Sequence, residues 1–113
     1  MRNKYNNRKV ELNGFTFDSQ KEARRYRDLQ LLERTGVIQE LKTQVAFVLA
    51  DSVKFENEAR RKPAVKYIAD FTYIENDKLI IEDVKSAITR KDKVYRLKKH
   101  FMKSVHGLEI REV

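Results

Sequence analysis

The stretch from Lys66 to Ser86, KYIADFTYIENDKLIIEDVKS, constrains the fold more than any other part of the chain. Both of its halves are rich in apolar, β-branched and aromatic residues, which are typical of strands. Asn76-Asp77 lies between the halves and predicts the two-residue turn of a β-hairpin. A turn at these two positions places Asp70 directly opposite Asp83, on the same face of the hairpin.

Two facing carboxylates need a chemical reason, because directly paired side chains lie roughly 4.5–5.5 Å apart and like charges so placed are destabilising. A divalent cation between Asp70 and Asp83 would explain the arrangement, since carboxylate oxygens are suitable ligands for Mg²⁺. Lys85 points to the same face, because side chains along a strand alternate with period 2. The same register places Ile68 opposite Lys85.

An exposed hairpin with a cross-strand salt bridge is the alternative to a metal site. Three apolar residues favour the metal site, because they share the face of the carboxylates and indicate that it is half buried: Ile68, Leu79 and Ile81. Glu82 points to the other face, where we expect a structural role.

A helix is predicted from Ser19 to Arg34, ending before Gly36. Glu22 falls on its apolar side. Two explanations of Glu22 are open from the residues alone. Ser19-x-x-Glu22 is a capping box, in which the glutamate reaches back to the cap amide; alternatively, Glu22 points into the site.

Further segments complete the expected sheet. Gln44 lies within one of them and either reaches the site or is an ordinary edge residue. The segments are a hairpin of Val10–Leu12 and Phe15–Phe17 around Asn13-Gly14, one or two strands within Val37–Ala50, and a final strand within Leu108–Val113. Asp51–Pro63 is predicted to be an exposed loop.

A second helix is predicted with Thr89 as its N-cap and Gly107 as its end. We expect its buried stripe to consist of Val94, Leu97, Phe101 and Val105. Its cations form a surface that suits phosphates. The residues expected to contact DNA are Lys91, Lys93, Arg96 and Lys99 near or on this helix, and Arg61 and Lys62 in the preceding loop.

Charge and composition limit the class of protein. The 113 residues fit one domain, with residues 1–9 as a loose basic arm. A formal net charge of +8 favours nucleic acid as a partner, ahead of an anionic membrane. The chain has no cysteine and two histidines, which argues against a zinc site. No apolar run is long enough for a membrane span or signal peptide, so we expect a cytoplasmic protein.

Two motifs carry a resemblance to known families. Ala69-Asp70, twelve residues, and then Asp83-Val84-Lys85 resemble the PD-(D/E)xK nuclease signature, with alanine in place of the usual proline. FDSQKEARRY, YIADFTY and IEDVKS together resemble a small phage-associated family described as Holliday junction resolvase-like. The resemblance extends from about Phe17 to the C-terminus, and it implies a phage or prophage protein acting in a bacterial cell.

The resemblance implies the α/β restriction-endonuclease-like fold, in which helices flank a mixed sheet with the core order α-β-β-β-α-β. It also implies Mg²⁺, with Mn²⁺ able to substitute, held by Asp70, Asp83, Glu22 and the carbonyl of Val84. Lys85 would then orient or deprotonate the attacking water, or stabilise developing negative charge.

The hypothesis from the sequence is a Mg²⁺-dependent DNA endonuclease that resolves four-way junctions. A homodimer is expected, because a junction offers two equivalent strands and one small domain supplies one site. The alternatives are a general nicking or double-strand nuclease and a non-catalytic nucleic-acid-binding module. Paired acids argue against the last, because a pure phosphate binder gains nothing from negative charge in its groove.

Overall fold

A four-stranded mixed sheet is the centre of the structure, a computed structural model that describes residues 9–12, 15–17 and 19–113. The elements are β1 (Val10–Leu12), β2 (Phe15–Phe17), α1 (Gln20–Arg34), β3 (Gln39–Ala50), β4 (Val65–Glu75), β5 (Lys78–Asp83), α2 (Ala87–Arg90), α3 (Lys93–His106) and β6 (Ile110–Glu112). The sheet order is β3-β4-β5-β6, antiparallel except for the parallel β5–β6 pair. The predicted α/β class, mixed sheet and N-terminal hairpin are confirmed, with one helix more than expected.

Part of the N-terminal prediction lies outside the described residues. The strands β1 and β2 pair antiparallel, as predicted. The turn at Asn13-Gly14 and the basic arm before Lys9 are not among the described residues, and their predictions stay predictions.

The central hairpin has the predicted turn and register. Asn76 and Asp77 have φ values of 51° and 63°, the left-handed conformation that a two-residue hairpin turn requires. The ladder pairs Glu75 with Lys78 and continues to Phe71 and Glu82. The next positions along the two arms are those of the two carboxylates.

Helix α1 begins and ends as predicted. The Ser19 hydroxyl accepts a hydrogen bond from the backbone amide of Glu22 over 3.1 Å. Thr35 is the C-cap, and Gly36 follows with a φ of 83°, which a residue without a side chain adopts at little cost. The helix is therefore fixed at both ends by local sequence.

Two apolar clusters cover the sheet on opposite faces. Ile80 packs against the cluster beside α1 and the next residue, Ile81, belongs to the cluster beside α3, and consecutive strand residues point to opposite faces. The first cluster contains Phe17, Ala23, Tyr26, Leu29, Ile38, Phe71 and Tyr73. The second contains Leu49, Tyr67, Ala69, Ile81, Tyr95, Met102 and Ile110. Strand β4 changes from the second cluster to the first at Asp70.

Glu82 has the structural role that was expected. Its carboxylate is fully buried and receives hydrogen bonds of 2.8 and 2.6 Å from Arg25 on α1, together with one from Tyr73. Arg111 on β6 in turn donates to the Tyr73 hydroxyl over 3.1 Å. This network joins α1 to three strands of the sheet.

The single second helix predicted from the sequence is wrong, because the chain forms two. Ser86 and Thr89 make a capping box at the start of α2, so Thr89 lies inside that short helix. Asp92 begins α3 by accepting from the amide of Tyr95. Gly107 ends α3 with a φ of 69°, as predicted.

The predicted buried stripe of this helix is also wrong. Tyr95 and Met102 are its buried residues. The four apolar residues expected inside are exposed, at 60% for Val94, 57% for Leu97, 38% for Phe101 and 52% for Val105. Helix α3 therefore meets the sheet along a face about a quarter of a turn away from the predicted one.

The expectation about the face of the carboxylates is correct only in part. Ile81 is buried, but Ile68 and Leu79 are exposed. Lys85 lies beyond the end of β5, and its amide donates over 2.9 Å to the carbonyl of Val113 instead of extending the ladder toward Ile68.

The β3 region and the loop after it also refine the predictions. The strands expected within 37–50 are one strand, and Glu40 and Gln44 in it have φ values of 55° and 54°. The exposed loop after β3 is closed by backbone hydrogen bonds between Val53 and Lys62. In the part of the chain that the structure describes, no helix is long and apolar enough to cross a membrane.

Candidate active site

The two predicted carboxylates lie together where β4 and β5 meet. The backbone amide of Val84 donates to Asp70 Oδ2 over 2.8 Å, and the hydroxyl of Tyr67 donates to Asp83 Oδ2 over 2.7 Å. The two carboxyl groups lie close enough for Asp83 to raise the pKa of Asp70.

The pKa of Asp70 is raised to about 9, and burial of its carboxyl group is the largest cause. The neighbouring side chain of Asp83 and the negative charge of Glu22 also contribute to the raised pKa, while the Val84 amide lowers it. The raised pKa favours a proton on Asp70 at neutral pH. A cation bound between the carboxylates would supply positive charge in place of this proton.

Lys85 lies beside this pair, as predicted. Its Nζ atom is 3.4 Å from Asp83 Oδ2 and 4.0 Å from the centre of the Tyr95 ring, so a carboxylate and an aromatic face both hold the ammonium group. Lys21 on α1 donates to the Lys85 carbonyl over 2.9 Å. The Lys85 side chain is thus fixed at its tip, and its backbone is tied to the first helix.

Glu22 makes one of the two hydrogen bonds of the predicted capping box, and its side chain lies near the site. Its backbone amide serves the helix cap at Ser19, while its carboxylate is buried and accepts from Gln44 Nε2 over 3.3 Å. The negative charge of this carboxylate acts on Asp70. Different parts of one residue therefore serve the cap and the neighbourhood of the site.

Gln44 reaches the site from a strained position. Its neighbours Thr43 and Val45 pair with Phe71 and Ala69, which flank Asp70. The φ of Gln44 is 54°, a conformation that costs a residue with a side chain about 1 kcal/mol. Strand β3 is therefore irregular beside Asp70, the position at which β4 changes from one apolar cluster to the other.

The donor set is suited to a magnesium-type ion but is incomplete as it stands. Among the described residues, no group of three or more His, Asp or Glu side chains is arranged to hold a metal ion. Asp70 and Asp83 supply two carboxylates, and Val84 contributes its amide to Asp70. Glu22 would have to exchange its contact with Gln44 to become a third protein ligand.

A basic groove of about 540 Å³ lies between α3 and β6, and we call it the α3–β6 groove. Its charged lining consists of Arg90, Arg96, Lys99, His100, Lys103, Glu109 and Glu112. Glu112 pairs with Lys99 at 3.2 Å, and Glu109 pairs with Lys103 at 3.1 Å. The Tyr95 hydroxyl donates to Glu112 over 2.6 Å, so one tyrosine joins the groove to Lys85.

The structure divides the predicted DNA-contacting cations among three places. Arg96 and Lys99 line the α3–β6 groove. Lys91 and Lys93 are exposed at the junction of α2 and α3. The remaining two lie in the loop before β4, where Arg61 donates to Ser52 and Lys62 pairs with Glu58.

Sequence reasoning missed four residues that support the site or line the groove: Lys21, Tyr67, Arg90 and Tyr95. Tyr67 lies three positions before Asp70, so strict alternation assigns it to the wrong face. Tyr95 and Met102 are seven residues apart, a spacing that could have indicated a second apolar face of α3.

Comparison with known proteins identifies a family and no activity. None of the curated proteins and none of the solved structures matches the chain. One family model, described as a protein of unknown function (DUF1064), matches residues 2–112. The match covers nearly the whole chain, so this protein belongs to the DUF1064 family.

Proposed function

We propose that this chain is a metal-dependent DNA endonuclease with a restriction-endonuclease-like fold. The observation that carries the proposal is the opposed pair of Asp70 and Asp83, with the Lys85 ammonium 3.4 Å from Asp83. Such a pair is unfavourable unless a positive charge joins it. The resemblance to the PD-(D/E)xK signature supports the same assignment.

Hydrolysis of a phosphodiester needs an activated water, neutralisation of charge on the phosphate, and help for the leaving oxygen. Mg²⁺ or Mn²⁺, when bound, supplies Lewis acidity and a water of lowered pKa. Asp70 and Asp83 would hold the ion, and Glu22 would complete the set directly or through a water. Lys85 can donate a hydrogen bond to the attacking water or to a phosphate oxygen.

The charge distribution supports DNA as the substrate. The chain carries a net charge of +8, and the α3–β6 groove is joined to the candidate site through Tyr95. Cations in such a groove bind phosphates by releasing counterions. A strand cut at Asp83 is expected to extend into this groove, which Arg90 and Arg96 line.

A preference for branched DNA is the finer part of the proposal. It depends on the resemblance to Holliday junction resolvase-like proteins and on two copies presenting two sites. A general nicking or double-strand nuclease has the same catalytic residues and differs only in the shape of DNA that it accepts.

The test compares end-labelled four-way junction, flap, duplex and single-stranded DNA at equal concentration, with Mg²⁺, with Mn²⁺ and with EDTA. The proposal predicts metal-dependent cleavage, with symmetric incision of the junction before any cut in duplex. Equal cleavage of all substrates would overturn the junction preference and leave the nuclease. Tight binding without cleavage in either metal would overturn the nuclease and favour a binding module.

A further inference from the structure

Helix α3 has three distinct faces. Tyr95 and Met102 form the face that packs on the sheet. Arg96, Lys99 and Lys103 form a second face, which lines the α3–β6 groove. The third face is apolar and consists of Val94, Leu97, Phe101 and Val105, all of which are exposed.

This apolar face extends along most of α3. Four apolar residues in line extend along nearly the whole of a helix of 14 residues, about 21 Å in length. Contiguous apolar patches of this kind mark interaction sites. Ile88 on the neighbouring α2 is also exposed. The described part of the chain leaves the face uncovered.

We propose that the apolar face of α3 is the centre of a homodimer in which the two α3 helices pack antiparallel about a two-fold axis. The dimer itself stands without the proposed function, although its use as a pair of active sites rests on that function. A two-fold interface requires a surface that is complementary to itself.

The order of side chains meets that requirement. The face reads valine, leucine, phenylalanine, valine from one end to the other. Antiparallel packing places Val94 against Val105 of the second copy and Leu97 against Phe101 of the second copy. The two-fold axis repeats the same contacts on the other side of the interface. An apolar centre with a polar rim is the usual build of a specific interface.

The positive charges of the two α3 helices repel each other less in this packing than the composition of α3 suggests. The helix has no acidic residue, but three of its cations lie two positions after a member of the apolar face: Arg96, Lys99 and Lys103. Two positions correspond to about 200° around the helix, so these cations point away from the axis. Lys98 remains on the rim, and we therefore expect added salt to strengthen the dimer.

The first test is sedimentation velocity of the full chain without DNA or metal. The wild type is expected to be a dimer near 27 kDa, twice the chain mass of 13.5 kDa. Leu97→Glu should raise the dissociation constant at least about 30-fold, the effect of losing a central interface side chain. Leu31→Glu is the matched control, because Leu31 on α1 is also 57% exposed. Circular dichroism establishes that both variants are folded.

A second test uses the absence of cysteine from the chain. Leu97→Cys and Phe101→Cys proteins are mixed and oxidised, and the antiparallel arrangement predicts a disulfide between them. Leu31→Cys mixed with Phe101→Cys is the control. A wild type that stays monomeric at about 100 μM, or a dimer unaffected by Leu97→Glu, overturns the proposal. If the wild type is a monomer, the apolar face of α3 does not bind a second copy of the chain. None of these outcomes depends on cleavage.

Discussion

Asp70 on β4 is held by the amide of Val84, which follows β5, while Asp83 on β5 is held by the hydroxyl of Tyr67 on β4. Each arm of the hairpin thus positions the carboxylate of the other arm. The distances are 2.8 and 2.7 Å. Because the two bonds cross between the strands, the geometry of the carboxylate pair depends on the register of the hairpin.

The raised pKa of Asp70 predicts how stability depends on pH. Folded Asp70 has a pKa of about 9, against an ordinary value of 3.8. Between these values the folded protein holds a proton that the unfolded chain has released, so the free energy of unfolding falls as pH rises. In EDTA, the wild type should melt at a lower temperature at pH 8 than at pH 5, and Asp70→Asn should show a smaller decrease. Thermal denaturation followed by circular dichroism measures both, and equal decreases would contradict the assignment.

Tyr67→Phe should weaken binding of the metal ion. Burial raises the pKa of Tyr67, so its hydroxyl stays a donor to Asp83 at neutral pH. Loss of a residue that orients a ligand typically reduces metal affinity 10–100-fold. The ring still packs beside Phe47, so the variant should fold. Titration with Mn²⁺ by electron paramagnetic resonance measures the affinity, and excess metal should restore cleavage.

The control for that variant is Tyr73→Phe. Tyr73 lies on the same strand as Tyr67, but its buried hydroxyl donates to Glu82, which lies outside the site. Its metal affinity should equal that of the wild type. If Tyr67→Phe also binds Mn²⁺ as tightly as the wild type, Tyr67 does not position Asp83.

Arg25→Ala should destabilise the fold by about 3–5 kcal/mol, because it leaves a buried carboxylate without its cation. Glu82 is fully buried, and Arg25 holds both of its oxygens. Urea denaturation measures the difference. The neighbouring exposed Arg24→Ala is the control and should change stability by less than about 0.5 kcal/mol. Equal effects of the two changes would argue against the network.

Arg96→Ala should reduce the salt dependence of DNA binding. If Arg96 in the α3–β6 groove contacts one phosphate, the slope of log K against log salt should fall by about 0.9. Fluorescence anisotropy between 50 and 200 mM salt measures the slope. Arg34→Ala, at the exposed end of α1, is the control. An unchanged slope for Arg96→Ala would remove the groove from the DNA-binding surface.

Local sequence was sufficient for the central hairpin and for α1. Period-2 alternation, a turn at Asn76-Asp77 and caps at Ser19 and Gly36 act over a few residues, so the sequence determines them directly. The proximity of Asp70 to Asp83 followed from that register alone.

Tertiary contacts decided what local pattern could not. Helix α3 carries two apolar faces, and the sheet selects the one with Tyr95, whose hydroxyl bonds Glu112. The role of Tyr67 depends on the irregularity at Asp70, where Gln44 adopts a positive φ. Neither the choice of face nor the irregularity has a periodic signal in the sequence.

The proposed function depends most directly on Asp83 and Asp70 holding the metal ion that DNA hydrolysis requires. The direct measurement is the rate of junction cleavage in saturating Mg²⁺ by the wild type, Asp83→Asn and the control Asp77→Asn, which changes an exposed aspartate in the turn of the same hairpin. Loss of a metal ligand should reduce the cleavage rate more than loss of a residue that supports a ligand. Asp83→Asn should therefore cleave more than about 100-fold more slowly than the wild type, with DNA binding retained. Asp77→Asn should cleave as the wild type does. Cleavage by Asp83→Asn at the wild-type rate would contradict the account.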